Sequence, residues 1–156
     1  MLLGLSMSAQ EVSKAKGEFY ATVDVIGYTR EEASGAGPHI SFGYHNNGFC
    51  IGPGIGMVLI GHDEPYTPIY VNVLYAGGKT KLSPMGKLHL GGVFHMNDIT
   101  HGGFYGQAVA GLAIKFKKTR IHLFGGMAIM NQAVDGIEFD VNQSVFLAGI
   151  GFFTTN

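Results

Sequence analysis

The sequence has few charged residues, a single cysteine and no long apolar run. These features exclude several classes of protein. Charged residues make up 13% of the 156 residues, about half of the roughly 25% typical of a soluble domain. A single cysteine excludes an intramolecular disulfide and a zinc knuckle. The net charge of −1 provides no basic field for nucleic acid. No interior stretch reaches the about 18 consecutive apolar residues that a transmembrane helix needs, so a helical membrane protein is excluded.

The composition that remains is apolar, aromatic and rich in glycine. Hydrophobic residues account for 46% of the chain, with 25 Gly, 11 Phe and 7 Tyr. So many aromatic residues exclude a disordered polar chain, and the glycines lack the three-residue period of collagen. A chain of this length forms one domain. Low charge, abundant glycine and short alternating segments are together typical of a transmembrane β-barrel.

The first residues, MLLGLSMSAQ, have the pattern of a secretory signal peptide, an apolar stretch followed by small residues. We interpret residues 1–9 as the remnant of that signal, with cleavage after Ala9. Residues 10–16 are polar and form a periplasmic lead-in, and residues 17–156 form one barrel domain. The consequence is export across the inner membrane.

Eight strand-like segments follow, each long enough to cross a membrane at a tilt. They are Gly17–Tyr28, Pro38–His45, Phe49–Gly61, Thr67–Ala76, Gly86–Met96, Phe104–Phe116, Arg120–Met130 and Asp140–Phe153. Alternate connections are short, as at Asn46-Asn47-Gly48 and Lys117-Lys118-Thr119, and the others are longer and more acidic. Outer-membrane barrels place short turns in the periplasm and longer loops outside. The prediction is an all-β, eight-stranded antiparallel transmembrane up-and-down barrel with short periplasmic turns and modest extracellular loops.

Each segment alternates between a large apolar side chain and a polar or small one. The predicted lipid-facing residues are Phe19, Val23, Phe42, Val71, Leu88, Leu90, Phe94, Leu123 and Ile129. The opposite parity supplies a predicted polar network in the lumen, formed by Asp24, His39, Asn72, Lys87, His89, Gln107, Lys115, His122, Asn142 and Ser144. A soluble β-sandwich would show the same alternation of apolar and polar residues. Its solvent-exposed face, however, would carry Lys, Glu and Thr rather than the repeated Gly seen here. Glycine facing a narrow lumen leaves room for the long side chains opposite.

Several stretches carry a family resemblance. PIYVNVLY at 68–75, KLSP at 81–84 and the segment 88–96 resemble small Bacteroidota-type outer-membrane β-barrel proteins, as do Gly103-Phe104-Tyr105 and the closing FLAGIGFF at 146–153. The resemblance implies an eight-stranded barrel of OmpA/OmpX size in the outer membrane of a Gram-negative bacterium. One departure is that residues 154–156 follow Phe153, whereas such barrels often end on the aromatic residue.

Candidate chemistry is limited to histidines and acids in the longer connections. The residues are His62, Asp63, Glu64, His95, Asp98 and His101, which could approach a cation if their loops share a rim. Solvated loop tips are the simpler interpretation, so no metal and no cofactor is predicted. Lipid A-modifying barrel enzymes need a Ser activated by His, and the segment around His95 has Asn97 where that Ser would be. Cys50 is expected to be a small buried residue rather than a reactive thiol.

Three classes of function stay open. The first is a barrel with a plugged polar lumen that acts as a structural or accessory subunit of an envelope assembly, without catalysis. The second is a binding module for lipid, metal or a partner protein through its extracellular loops, and the third is a lipid A-modifying enzyme. The expected partners are the lipid bilayer and lipopolysaccharide, with a larger outer-membrane complex if the barrel is a subunit, and no nucleic acid. A pore is disfavoured because eight strands leave an interior that side chains fill.

Overall fold

A computed structural model describes residues 17–29, 34–60, 65–78, 80–96, 102–132 and 143–155. The predicted signal remnant 1–9 and lead-in 10–16 lie outside these residues. Strands account for nearly all of the described chain: β1 (Glu18–Thr29), β2 (Ser34–Asn46), β3 (Phe49–Gly56), β4 (Leu59–Ile60), β5 (Tyr66–Ala76), β6 (Leu82–His95), β7 (Gly102–Phe116), β8 (Thr119–Gln132) and β9 (Gln143–Thr155). Within the described ranges, no helix is long and apolar enough to cross a membrane.

The nine segments form one closed sheet of eight barrel strands. Each strand pairs antiparallel with its neighbours in the chain, and β1 pairs with both β2 and β9, which closes the sheet. Segments β3 and β4 are two parts of one strand, because both pair with β2 in the same register and Met57 between them donates a backbone hydrogen bond to Pro38. The predicted all-β, eight-stranded, antiparallel up-and-down barrel is therefore confirmed as the fold.

The pairing register fixes the stagger of the barrel. The path of paired residues runs from Glu18 through His45, Cys50, Leu74, Lys87, Val109, Gly126 and Leu147, and it returns to β1 at Tyr28. One circuit thus advances ten residues along β1, from position 18 to position 28. With ordinary strand spacings, eight strands and a shear of ten tilt the strands by about 40° to the barrel axis.

Three short connections lie at one end of the barrel, which we call the turn end. The first residue of β1 and the last residue of β9 lie at the same end. In the β2–β3 hairpin, Asn47 and Gly48 have φ of 49° and 85°, values that Asn and Gly tolerate well. The β7–β8 hairpin turns through Lys117 and Lys118. The longer connections leave from the opposite end, which we call the loop end, and most of their residues lie outside the described chain.

Two strands begin earlier than the sequence predicts. The predicted fifth segment began at Gly86, after an expected break at Ser83-Pro84, but β6 begins at Leu82 and Pro84 pairs with Leu112 inside it. Similarly, β2 begins at Ser34, before Pro38. Local sequence marks a proline as a strand-ending signal, but residues 34–37 pair with β1 and residues 82–84 pair with β7, and this pairing holds both segments in the sheet.

Candidate functional site

The outer face of the barrel is uncharged and predominantly apolar over its described surface. No outward-facing position in the described strands carries Asp, Glu, Lys or Arg. The predicted lipid-facing residues are all on this face: Phe19, Val23, Phe42, Val71, Leu88, Leu90, Leu123 and Ile129 are exposed, and Phe94 is half-buried. Every barrel strand exposes large apolar side chains on this face. A protein that folds in water buries such side chains in its core instead.

Aromatic side chains border this face at both ends. The belt near the turn end consists of the outward-facing residues Phe19, Tyr44, Phe49, Tyr75 and Phe116. Within it, the rings of Phe49 and Tyr75 are in contact, with their centroids 4.6 Å apart. Phe94, Phe104 and Phe146 lie outward near the loop end. Two aromatic belts around an apolar band are the pattern of barrels that cross a bilayer.

A buried ion pair crosses the middle of the lumen. Lys87 Nζ lies 2.6 Å from Asp24 Oδ2, and neither side chain has any exposed area. Asp24 is on β1 and Lys87 is on β6, which are diametrically opposite in a barrel of eight strands. The Lys87 ammonium also lies 4.7 Å from the centroid of the Phe124 ring. Because an unpaired buried charge is costly, these two residues hold opposite walls of the barrel together.

Between the ion pair and the turn end, several buried aromatic rings lie in the lumen. The Tyr20 and Phe153 rings stack with centroids 5.7 Å apart, and the His122 and Phe153 rings stack with centroids 5.8 Å apart. Asn72 donates a hydrogen bond to the Tyr20 hydroxyl across the lumen at 3.0 Å. The Arg120 guanidinium lies 5.7 Å from the Phe153 ring and donates to the carbonyl of Ala76. These contacts bring side chains from β1, β5, β8 and β9 together in the turn-end half of the lumen.

Above the ion pair, histidine and tyrosine side chains form a second cluster. His39 Nε2 lies 2.7 Å from the Tyr28 hydroxyl and His39 Nδ1 lies 3.2 Å from the Tyr70 hydroxyl. The Tyr70 and His89 rings stack at 4.0 Å. Beside them the Tyr105 hydroxyl donates to the Gln107 side-chain oxygen. Toward the loop end the lumen is lined by buried apolar side chains, namely Val58, Val93, Val145 and Leu147.

Glycines on the inner face leave room for these side chains. A Cβ on Gly56 would collide with the His39 ring, and a Cβ on Gly54 would collide with the Tyr70 ring. A Cβ on Gly151, which pairs with Asp24, would collide with the Asp24 carboxylate. The glycines on the inner face thus provide the space that the long polar side chains of neighbouring strands occupy, as the sequence predicts.

Seven of the ten residues predicted for the lumenal network are buried in the interior: Asp24, His39, Asn72, Lys87, His89, Gln107 and His122. Lys115 does not join them. It has the lumenal parity, but it is the second-last residue of β7, and its side chain is exposed at the turn end. Asn142 lies outside the described residues, and the Ser144 side chain is not among those described, although its backbone is in β9.

Four tyrosines were missing from the predicted network: Tyr20, Tyr28, Tyr70 and Tyr105, all buried in the lumen. Each shares the parity of a predicted lumenal residue on its own strand, so alternation alone could have found them. The predicted network was restricted to charged, amide, imidazole and hydroxymethyl groups. Tyrosine contributes a ring that packs in the interior, and the hydroxyls of Tyr28 and Tyr70 are the hydrogen-bond partners of the His39 ring.

The predicted loop cluster falls largely outside the described residues, which exclude His62, Asp63, Glu64, Asp98 and His101. His95 pairs with Tyr66 through its backbone, so the end of β6 lies beside the start of β5 at the loop end. Asn97, where an enzyme of this type would have Ser, is also outside. Among the side chains that the structure describes, no three His, Cys, Asp or Glu residues are placed to hold a metal ion. Cys50 is buried in the turn-end half of the lumen and is not in a disulfide.

The fold is that of a small eight-stranded outer-membrane-type barrel. The barrel is similar to the crystal structure of Neisserial surface protein A (NspA), with a TM-score of 0.59 and 12% identity over 90% of this chain and 97% of that one. It is also similar to the N-terminal β-barrel domain of Pseudomonas aeruginosa OprF, with a TM-score of 0.55 and 15% identity over 90% of this chain and 100% of that one. No protein-family model and no curated protein matches the sequence. The predicted barrel of OmpA/OmpX size is thus confirmed, and its Bacteroidota-type origin stays a prediction.

Proposed function

We propose that this protein is an outer-membrane barrel of a Gram-negative bacterium, with a plugged lumen and no catalytic activity, that serves as a structural or accessory subunit of the cell envelope. The observation that carries the proposal is the inversion of polarity: the Asp24–Lys87 ion pair is inside the barrel, whereas the described outer face has no charged residue. Lipid is the solvent that stabilises this arrangement, since water would favour the reverse.

The dimensions support a transmembrane position. At a tilt of about 40°, the 11 residues of β5 rise roughly 28 Å along the barrel axis. The hydrocarbon core of a bilayer is about 30 Å thick. Barrels that cross membranes with a small even number of strands are of the outer-membrane type, and one of the two similar structures is by its printed name a surface protein.

The proposed partners follow from the two surfaces. The apolar band faces the lipid bilayer, and the loop end faces lipopolysaccharide in the outer leaflet. A structural or accessory role is favoured over catalysis, because the Asp24–Lys87 ion pair and the hydrogen bonds of His39 and Asn72 to tyrosine hydroxyls lie between layers of buried aromatic and apolar side chains. If the barrel is a subunit, its partners are other outer-membrane proteins.

The experiment that tests the location is refolding from urea into phosphatidylcholine vesicles and, in parallel, into detergent-free buffer. We expect a folded band in unheated electrophoresis samples only with vesicles, and a stable soluble monomer in buffer would contradict the proposal. The subunit role is tested by purifying the protein from native membranes in mild detergent. Stoichiometric co-elution of another envelope protein supports it, and a barrel that elutes alone contradicts it.

A further inference from the structure

The turn end of the barrel carries a group of four exposed lysines. Lys81, Lys115, Lys117 and Lys118 are all exposed there. Their positions are close together, because the Lys115 backbone N–H donates to the Lys81 carbonyl at 2.8 Å, and Lys117 and Lys118 form the turn that follows β7. We call these four residues the lysine arc. The salt bridges among the described residues are Lys87–Asp24 and His45–Glu18, so the arc has no carboxylate partner there.

The lysine arc adjoins the apolar band directly. Lys81 Nζ lies 5.7 Å from the centroid of the Phe116 ring, a member of the turn-end aromatic belt. Leu82, the next residue, is exposed on the outer face. Aromatic belts lie at the depth of the lipid headgroups, so the four ammonium groups are at the level where phosphates occur.

The backbone conformation of the β7–β8 turn independently supports a role for the charge of Lys117. Lys117 has φ of 54°, in the left-handed region that residues other than Gly, Asn and Asp adopt only at a cost. The turn between β2 and β3 has Asn47 and Gly48 at its two positive φ angles, whereas in the β7–β8 turn Lys117 alone has a positive φ. A lysine at position 117 therefore costs stability that an asparagine would not, which points to selection for its charge.

We propose that the lysine arc binds the phosphate groups of an anionic glycerophospholipid of the phosphatidylglycerol type in the membrane leaflet at the turn end. This inference rests on the membrane location proposed above. A lipid fits better than an acidic protein because the charges border the aromatic belt and Lys81 lies against one of its rings. Each lysine near an anionic membrane surface increases the affinity of a protein for that surface about fivefold.

Quenching by brominated lipids tests the proposal on the full chain in vesicles. The chain has no tryptophan, so Leu82→Trp, beside the arc, supplies one fluorophore in every variant. Mixtures of brominated phosphatidylglycerol or brominated phosphatidylcholine with the unbrominated lipids give the relative binding constant of the two headgroups. We expect a preference for phosphatidylglycerol of about fivefold or more, which falls to about one when all four lysines are replaced by Gln.

Two further variants separate charge from structure. Lys14→Gln with Lys16→Gln removes two lysines that precede the barrel strands, and we expect the preference to persist. Lys117→Asn relieves the backbone of the turn, so we expect a higher urea midpoint for unfolding together with a lower preference. A structural role for Lys117 would instead make both quantities fall.

The outcomes distinguish this proposal from the proposed function. If no brominated lipid quenches the tryptophan, the barrel does not insert and both proposals fail. If the barrel inserts but shows no headgroup preference, or keeps its preference without the four lysines, only the lysine arc proposal is wrong. Binding of poly-L-glutamate to the inserted barrel without a phosphatidylglycerol preference would assign the arc to an acidic polypeptide and overturn the lipid assignment.

Discussion

Asp24 and Lys87 face each other from opposite walls of the barrel, 2.6 Å apart between Oδ2 and Nζ, with both side chains fully buried. Their strands are four apart in either direction around the barrel. An ion pair in this position restrains the diameter of the lumen as well as neutralising two charges. The second oxygen, Asp24 Oδ1, has no hydrogen-bond partner among the described residues, so Lys87 is the main compensation for that carboxylate.

The first prediction concerns this pair. Lys87→Met leaves the Asp24 carboxylate buried without its partner, so we expect a loss of about 3–5 kcal/mol in the free energy of unfolding. The double variant Asp24→Leu with Lys87→Met removes both charges and is expected to recover most of that loss. Urea unfolding from lipid vesicles, followed by tyrosine fluorescence, measures both values. A single variant as stable as the wild type would show that the pair contributes nothing to the barrel.

The second prediction concerns the glycine that makes room for Asp24. Gly151→Ala places a methyl group against the Asp24 carboxylate, and we expect a loss of about 1–3 kcal/mol from overpacking. Gly86→Ala is the matched control, because its Cβ would point outward with the nearest atom 3.9 Å away, at the Val109 carbonyl. The same urea titration compares them. Equal stability of the two variants would mean that the lumen can relax around the added methyl.

The third prediction concerns the outer face. Val23→Arg or Leu90→Arg places a charge at the middle of the apolar band, which we expect to cost about 2–4 kcal/mol in a bilayer. Thr154→Arg, also outward but at the turn end, is expected to cost at most about 1 kcal/mol. Reversible unfolding in lipid vesicles measures all three. If the arginines at 23 and 90 cost no more than the one at 154, this face does not contact the membrane interior.

The fourth prediction concerns conduction. The stacked rings of Tyr20, Phe153 and His122 lie on one side of the ion pair, and the His39 cluster lies on the other. We therefore expect the wild-type protein to carry no steady current in planar bilayers, and Lys87→Met to remain silent even though it is destabilised. Sustained open-channel currents from the wild type would mean that the lumen is a conduit.

Local sequence was sufficient to predict the eight strands and the direction of their side chains, because alternation with a period of two is a property of each strand by itself. Val23 and Leu90 could thus be placed outward and His89 inward without knowledge of any neighbour. The turn at Asn47-Gly48 was equally readable, since few residues accept its φ angles.

The tertiary structure decided which residues meet. Asp24 faces Lys87 only because of the register between successive strands, which adds up to a stagger of ten residues around the closed sheet. The sequence of one strand does not determine that total stagger. Closure also explains why Lys115 is exposed despite its lumenal parity, because its height along the barrel axis is set by the tilt. The sequence by itself therefore determined the strands and their two faces, whereas the contents of the lumen follow from the register, which only the closing of β1 onto β9 fixes.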